Sequence, residues 1–306
     1  METVTALIKE KALELGFDDC RVASTILEGD EGFDCWLEHG FHADMDWMAR
    51  TRDLRQHVQL KVPGARSVIV LAKTYYRPDT RPMPENAKIA RYARQRDYHR
   101  ALIKPLKGLA DYVRDCMPGT IGYASVDSGP VRERACAARA GMGRIGRNGL
   151  VIHPRFGSWF FLATIITDAA LVPDTPVPER CGTCTACVGA CPTGAIVGDR
   201  EVDARRCIAY HTIENRQEIP ETVAANLCGW VFGCDICQEV CPWNRRQVLE
   251  TAAPDGKSET FPLLDAEALA SISEDAFRRL FEGTPIMRAG YGGITRNARL
   301  NGGYRE

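Results

Sequence analysis

Four cysteines in the stretch CGTCTACVGACP have the spacing of iron–sulfur ligands. Cys181, Cys184, Cys187 and Cys191 are separated by two, two and three residues, and Pro192 follows directly. In bacterial ferredoxins this run supplies three thiolates to one [4Fe–4S] cluster and its fourth thiolate to a second cluster. The chemistry would be one-electron transfer, and the spacing predicts a second group of ligands further along the chain.

The second group lies in GCDICQEVCP and consists of Cys234, Cys237 and Cys241. A complete repeat would begin with a cysteine at position 231, where the chain has Val231. One ligand must therefore come from elsewhere, and Cys207 and Cys228 are both available. The residue pattern alone leaves this choice open.

A crossed arrangement distributes the thiolates over two clusters. The first cluster takes Cys181, Cys184, Cys187 and Cys241. The second cluster takes Cys191, Cys234, Cys237 and one of the two spare cysteines. Paired C-x2-C motifs also bind zinc, but the x2-x2-x3-Cys-Pro run favours iron–sulfur clusters over zinc.

The cysteine usage and the first residues indicate a reducing compartment. The chain has 13 cysteines, an odd number, and they cluster in metal-type spacings rather than as a disulfide framework. The opening METVTALIKEKALELG is a charged amphipathic pattern without the apolar segment of a signal peptide. The longest apolar run, about 159–166, is too short to span a bilayer. We expect a cytoplasmic protein that does not enter the membrane.

The stretch GMGRIG, residues 141–146, matches the glycine pattern of dinucleotide-binding folds. In such folds the glycines follow a strand and open a helix, so that phosphate meets helix N–H groups. Here the order is reversed, because a helical pattern precedes the glycines and the apolar LVIH follows them. Nicotinamide binding is therefore disfavoured. We expect the glycines to end a helix and to let the backbone pass close to a large flat ligand.

Periodicity predicts an α+β domain over residues 1–171. Helices are predicted over 3–15, 101–116 and 132–140, and strands over 67–76 and 120–127. Apolar runs at 150–153 and 158–167 are predicted to form a hairpin joined by 154–157. A cluster domain is predicted over 172–250, after the proline-rich 172–179. Residues 251–306 are predicted to form a C-terminal helical segment and a basic tail, in which the last glycine-rich stretch gives no definite element.

Charge is unevenly distributed along a chain whose formal net charge is −1. Residues 88–107 carry seven Lys and Arg residues against a single Asp. Such a region suits contact with nucleic-acid phosphates, although it also suits a solvated helix face.

The chain resembles the epoxyqueuosine reductase family over nearly its whole length. The resemblance rests on GFHADMDWMAR, RYARQRDYH, DSGPVRER, AARAGMGRIGRN and IHPRFGSWFFL, and on the two cysteine motifs, the second within FGCDICQEVCPWN. It implies a cobalamin-binding domain related to nitroreductase-like folds, followed by a ferredoxin-like domain with two [4Fe–4S] clusters. It also implies reduction of epoxyqueuosine at the wobble position of tRNA to queuosine, the last step of queuosine biosynthesis. Members usually continue into a C-terminal helical-repeat region, whereas this sequence resembles a short form that ends at Glu306.

The resemblance also implies roles for particular residues. Asp127 matches the proton donor of the family, and Cys207 matches the remaining ligand of the second cluster. An ordinary aspartate is ionised at neutral pH, so the donor role leads us to expect burial that raises its pKa. We further expect Gly143, His153 and Ser158 to contact cobalamin, which would collect single electrons into a strong reductant.

The partners follow from this chemistry. We expect the anticodon arm of a queuosine-type tRNA as substrate, an external low-potential electron donor, and a monomer. Two alternatives share the cluster spacing, namely a cobalamin-dependent reductive dehalogenase and a ferredoxin-type electron carrier. About 170 residues ahead of the clusters are more than an electron carrier needs.

Overall fold

A computed structural model describes residues 2–25, 32–77, 82–178, 181–247 and 263–302. The chain forms two compact units. The first unit comprises 1–39, 46–75 and 98–184, and the second unit comprises 40–45, 76–97 and 185–306. The predicted boundary at 250/251 lies outside the described residues, and the three predicted domain ranges stay predictions.

The described residues contain short and long helices and short strands. The helices are α1 (Glu2–Glu14), α2 (Gly32–Glu38), α3 (Trp47–Arg50), α4 (Arg52–Gln56), α5 (Tyr98–Cys116), α6 (Glu133–Arg139), α7 (Ala186–Ala190), α8 (Ile208–Ile213), α9 (Glu221–Ala224), α10 (Ile236–Glu239), α11 (Pro242–Gln247), α12 (Ala266–Ser271), α13 (Glu274–Phe281) and α14 (Gly290–Asn301). The strands are β1 (Asp19–Ser24), β2 (Ser67–Thr74), β3 (Lys88–Ile89), β4 (Gly122–Ser125), β5 (Arg144–Ile145), β6 (Val151–Ile152), β7 (Phe160–Thr167) and β8 (Trp230–Phe232). In the part of the chain that the structure describes, no helix is long and apolar enough to cross a membrane.

A four-stranded antiparallel sheet, in the order β1-β2-β7-β4, forms the centre of the first unit. The central strands β2 and β7 are almost entirely buried, because helices or loops cover both of their faces. The register places Val70 opposite Thr164, which in turn lies opposite Ser125. This confirms the predicted α+β class and both predicted strands within a few residues.

Helices cover the two faces of this sheet. On one face, α1 and α5 pack through a stripe that includes Leu102, Leu106 and Leu109, spaced one helical turn apart. On the other face, α6 packs through Cys136 and Ala137. The start of α5 and the end of β4 are thereby fixed in the same unit, which positions the residues of the candidate site.

The predicted hairpin between 150–153 and 158–167 is wrong. Strand β6 pairs with β5, while β7 pairs with β2 and β4 in the large sheet. A single bridge between His153 and Gly157 is the remaining contact of hairpin type. The long apolar run of β7 suits a central strand, and its neighbours β2 and β4 occupy both of its edges, so β6 cannot pair with it there.

The glycines of GMGRIG are required by contacts within the first unit. A Cβ atom on Gly141 would lie 2.0 Å from the carbonyl oxygen of Thr175, and one on Gly143 would lie 2.5 Å from that of Ile152. Gly141 also has a φ of +68°, which favours glycine. The stretch follows α6, contains the two residues of β5 and precedes β6, so a helix comes before the glycines, as the sequence predicts.

We expect Gly141→Ala to lower the free energy of unfolding by about 2–5 kcal/mol, because left-handed strain adds to a backbone clash. The matched control is Gly119→Ala, which has a φ of +87° and no atom within 4 Å of the added Cβ. Its expected cost is about 1 kcal/mol from strain alone. Thermal unfolding followed by circular dichroism measures both variants, and equal melting temperatures would contradict the packing explanation.

In the second unit, strand β3 pairs in parallel with β8. Helix α14 packs against β8 through buried Asn297, whose amide donates to the carbonyl oxygens of Thr212 at 3.0 Å and Val231 at 2.8 Å. One turn later, Asn301 donates to the carbonyl oxygen of Trp230. The glycine-rich stretch without a predicted element is thus a helix, because tertiary hydrogen bonds outweigh its weak helical propensity.

Candidate active site

Four of the predicted cluster ligands lie near one another in the second unit. Charge–charge interactions link Cys207 with Cys191, and Cys234 with both Cys207 and Cys237. Such interactions weaken with distance, so each of these four sulfur atoms lies near at least one other of the four. The short helices α7 and α10, which carry or adjoin three of them, pack against each other.

Backbone N–H groups point at several of these sulfur atoms. Ala195 N–H donates to Cys191 Sγ at 3.3 Å. Cys207 receives backbone hydrogen bonds from Tyr210 and Ala209 at the start of α8. Burial raises the pKa of the Cys207 thiol, while these hydrogen bonds oppose that effect by stabilising the thiolate. Donors of this kind suit cysteines that bind iron as thiolates and tune the potential of a cluster.

Cys228, the other spare cysteine, has a different environment. It is exposed, its φ is +52°, and its thiol donates to the carbonyl oxygen of Asn226 at 3.3 Å. The remaining predicted ligands are divided between the units: Cys181 and Cys184 end the first unit, and Cys187 and Cys241 belong to the second. Among the described residues, no three or more His, Cys, Asp or Glu side chains are placed to hold a single metal ion.

Asp127 lies just beyond β4 and carries a cluster of polar contacts in the first unit. The Tyr98 hydroxyl donates to its Oδ2 at 2.7 Å, and His99 Nε2 lies 3.5 Å from the same oxygen. Both partners are in the first turn of α5. The Tyr98 ring is stacked on Phe161 of β7, with ring centroids 4.2 Å apart. The Asp127 side chain is 62% exposed, so its carboxylate can meet a substrate.

The expected rise in the pKa of Asp127 is wrong. Burial of part of the group does act to raise its pKa, but hydrogen bonds from His99 and Tyr98 outweigh that effect and lower it below the ordinary value. Asp127 is therefore ionised at neutral pH in this state. A role as acid requires that a proton reach it from a neighbouring group or that a bound substrate raise its pKa.

Glu133, which the sequence analysis assigned no role, contacts Asp127 directly. Its Oε1 accepts the Asp127 N–H at 2.9 Å. Burial raises the pKa of Glu133 to about 8, and the charge of Asp127 adds to the effect. The signal was present in the motif DSGPVRER, whose glutamate is Glu133, but the spacing alone does not show which atom it contacts.

The three predicted cobalamin contacts are used within the protein. His153 is 3% exposed; its Nε2 lies 3.0 Å from Asp19 Oδ2, and its Nδ1 accepts the Arg155 N–H at 3.0 Å. Both ring nitrogens are thus engaged. Ser158 is also buried, and the space beside Gly143 is filled by the chain itself. Their contact with cobalamin stays a prediction.

Two protein families match parts of the chain. Residues 180–244 match a family described as 4Fe-4S double cluster binding domain. Residues 55–128 match a family described as Epoxyqueuosine reductase QueG, DUF1730. The first match confirms the prediction of iron–sulfur clusters over zinc, and its range contains all eight predicted ligands.

Whole-chain comparisons agree with these matches. Epoxyqueuosine reductase of Gloeobacter violaceus is 43% identical over 98% of this chain and 96% of its own length. That of Pseudomonas aeruginosa is 42% identical over 95% of this chain and 82% of its own. The cluster domain, together with the first unit that carries Asp127, defines this protein as an iron–sulfur oxidoreductase. The chain belongs to the epoxyqueuosine reductase family.

Solved structures of the family share the fold. An epoxyqueuosine reductase bound to a tRNA-Tyr stem loop modified with epoxyqueuosine is 28% identical, with a TM-score of 0.83 over 98% of this chain and 80% of that chain. The Bacillus subtilis enzyme, with its catalytic aspartate loop swung out of the active site, is 27% identical, with a TM-score of 0.85 over 98% of this chain and 81% of that chain. These matches confirm the predicted fold class.

Proposed function

We propose that this protein reduces the epoxide of epoxyqueuosine in tRNA to the alkene of queuosine. The observation that carries the proposal is 43% identity to an epoxyqueuosine reductase across 98% of the chain. Overall, the reaction consumes two electrons and two protons and releases the epoxide oxygen as water. The double-cluster domain supplies the means of electron transfer. Asp127, with its partners Tyr98 and His99, supplies the means of proton transfer.

We propose the crossed ligand set for the two clusters. Cys181, Cys184, Cys187 and Cys241 hold the first, and Cys191, Cys207, Cys234 and Cys237 hold the second. The Cys207 thiol lies near those of Cys191 and Cys234, and this proximity supports the choice of Cys207. Electrons come from an external low-potential donor, and the protein acts in the cytoplasm as a monomer.

The reductive centre in this proposal is cobalamin, which, when bound, accumulates two single electrons and acts as a strong reductant. The first unit offers acid groups open to solvent, with Asp127 62% and His99 39% exposed. That arrangement fits a bulky cofactor and substrate meeting at the protein surface. Asp127, Tyr98 and His99 would face that group.

The proton is handled by residues of the first unit. Tyr98 holds the Asp127 carboxylate through its hydroxyl, and His99 lies beside the same oxygen. When substrate covers this exposed carboxylate, further loss of solvent raises its pKa, because desolvation already acts in that direction. Asp127 would then hold a proton next to the departing epoxide oxygen, with His99 as its nearest source.

We propose that one face of α5 binds the phosphates of tRNA. Arg100, Lys104 and Lys107 are exposed and spaced so that they share a helix face, opposite the buried leucines of the same helix. This stripe lies within the predicted basic region. No ion pair among the described residues occupies these three side chains.

We expect the triple change Arg100→Gln, Lys104→Gln and Lys107→Gln to weaken tRNA binding and to lower its salt dependence. Losing three phosphate contacts reduces the slope of log affinity against log salt by about 2–3. Fluorescence anisotropy with an anticodon stem loop at several salt concentrations measures it. Arg278→Gln, which removes a base already paired with Glu274 on α13, is the control, and an unchanged slope in the triple variant would exclude this face.

A substrate comparison separates the proposal from reductive dehalogenation. Anaerobic protein loaded with cobalamin and reductant is given either tRNA containing epoxyqueuosine or a halogenated phenol. We expect queuosine from the tRNA and no halide release from the phenol. Halide release without queuosine would assign the chain to reductive dehalogenation. If neither product forms, electron transfer alone would be its activity.

A further inference from the structure

Asp127 is held in an uncommon backbone conformation. Its φ is +56°, in the left-handed region that non-glycine residues enter at a cost of about 1–2 kcal/mol. The Ser128 N–H donates to the Val126 carbonyl oxygen at 2.5 Å, so Asp127 is the central residue of a γ-turn. A γ-turn with positive φ is rare and strained, and it persists where surrounding contacts hold it.

Two contacts fix this turn on either side of Asp127. Beyond it, Gly129 fits tightly against β4, since an added Cβ would lie 2.4 Å from Ser125 Oγ. On the other side, the Asp127 N–H reaches the Glu133 carboxylate at the start of α6. The amide of Asp127, at the strained position, therefore has its hydrogen-bond acceptor on a side chain six residues away.

We propose that Glu133 is a positioning residue: its carboxyl group holds the Asp127 N–H and thereby keeps the strained turn in the geometry that directs the Asp127 carboxylate to Tyr98 and His99. The hydrogen bond requires a side chain long enough to bring an acceptor to the amide. It does not require a charged side chain, because a neutral oxygen also accepts from a backbone N–H. This inference rests on the proposed function for the role of Asp127, but the contact itself does not.

The charges around Glu133 support a role that does not require its ionised form. Burial and the charge of Asp127 raise the pKa of Glu133 to about 8, although the hydrogen bond from the Asp127 N–H and the charges of His99 and Arg134 act in the opposite direction. Near neutral pH the group is therefore mostly a neutral acid that can still accept through a carbonyl oxygen. A glutamine at this position would match it closely in shape, acceptor and charge.

Three variants separate reach from charge. Glu133→Gln keeps the reach and removes the charge, Glu133→Asp keeps the charge and shortens the reach, and Glu133→Ala removes both. Glu274→Ala, which removes a first-turn glutamate from α13, controls for a general loss of helix stability. Hydrogen–deuterium exchange of a peptide covering 126–131 and steady-state kinetics with tRNA are measured for each, together with the melting temperature.

We expect amide exchange in the loop to become at least about tenfold faster in the Ala and Asp variants and to stay near wild type in the Gln variant. We expect kcat to fall about 10- to 100-fold in the Ala and Asp variants, with KM for tRNA little changed, and to stay within roughly threefold for Gln. Unchanged exchange in both the Ala and Asp variants, or a Gln variant as impaired as Ala, would overturn the proposal. The exchange measurement needs no substrate, so it tests the contact even if the wild-type protein fails to reduce epoxyqueuosine.

Discussion

Replacing Cys207 with alanine is expected to lower the iron content from about eight to about four atoms per chain, because one of two four-iron clusters loses a ligand. Reduction of epoxyqueuosine should fall to background if, as we propose, electrons pass through both clusters. The structural reason is the position of the Cys207 thiol, which interacts with Cys191 and Cys234. Iron analysis of anaerobically purified protein, with electron paramagnetic resonance of the reduced sample, measures the effect.

The matched control is Cys228→Ala. Cys228 is exposed and donates to the Asn226 carbonyl oxygen, so this variant should keep about eight irons and normal turnover. The two cysteines are the spare residues between which the sequence spacing does not choose. The opposite pattern, with iron lost from the Cys228 variant alone, would show that Cys228 and not Cys207 is the fourth ligand of the second cluster.

Asp127→Asn is expected to reduce kcat by about 10²- to 10⁴-fold, the usual contribution of a positioned general acid. Asparagine retains an acceptor for the Tyr98 hydroxyl and tolerates a φ of +56°, so the fold of the loop should survive. The loss would then report the missing proton rather than a displaced chain. Single-turnover kinetics with tRNA in cluster- and cobalamin-loaded protein measures the rate.

The control for this experiment is Asp111→Asn on the exposed face of α5, where the carboxylate pairs with Arg114. It should leave kcat unchanged. We also expect the Asp127 variant to bind tRNA with nearly the wild-type affinity, because one exposed carboxylate adds little to phosphate-dominated binding. Wild-type turnover in the Asp127 variant would remove this residue as the acid and would move that role to Tyr98 or His99.

Patterns that depend on local spacing were predictable from the sequence, whereas long-range pairing was not. The cysteine spacing led to the double-cluster domain, and the apolar run at 67–76 led to a strand that the structure contains as β2. The hairpin prediction failed because the partners of β7 lie about 40 and 90 residues away along the chain. Helix α14 was missed because its stability comes from Asn297 and Asn301 bound to carbonyl oxygens outside the helix.

The candidate site shows the same division. Asp127 stands out in the motif, but its pKa depends on Tyr98 and His99, which are almost 30 residues earlier in the sequence. Burial alone would have raised that pKa, and the sequence does not display the two hydrogen bonds that lower it. Glu133 is near Asp127 in sequence, yet its contact is with a backbone N–H, which no residue pattern displays.

We propose that this chain removes the oxygen of epoxyqueuosine in tRNA with electrons carried by its two clusters. The most direct test is a single-turnover reaction of anaerobic, cobalamin-loaded protein with epoxyqueuosine tRNA and a measured amount of low-potential reductant, followed by nucleoside mass spectrometry. We expect a nucleoside lighter by one oxygen atom, with two electrons consumed for each molecule formed. Epoxyqueuosine that stays intact while both clusters are fully reduced would contradict it.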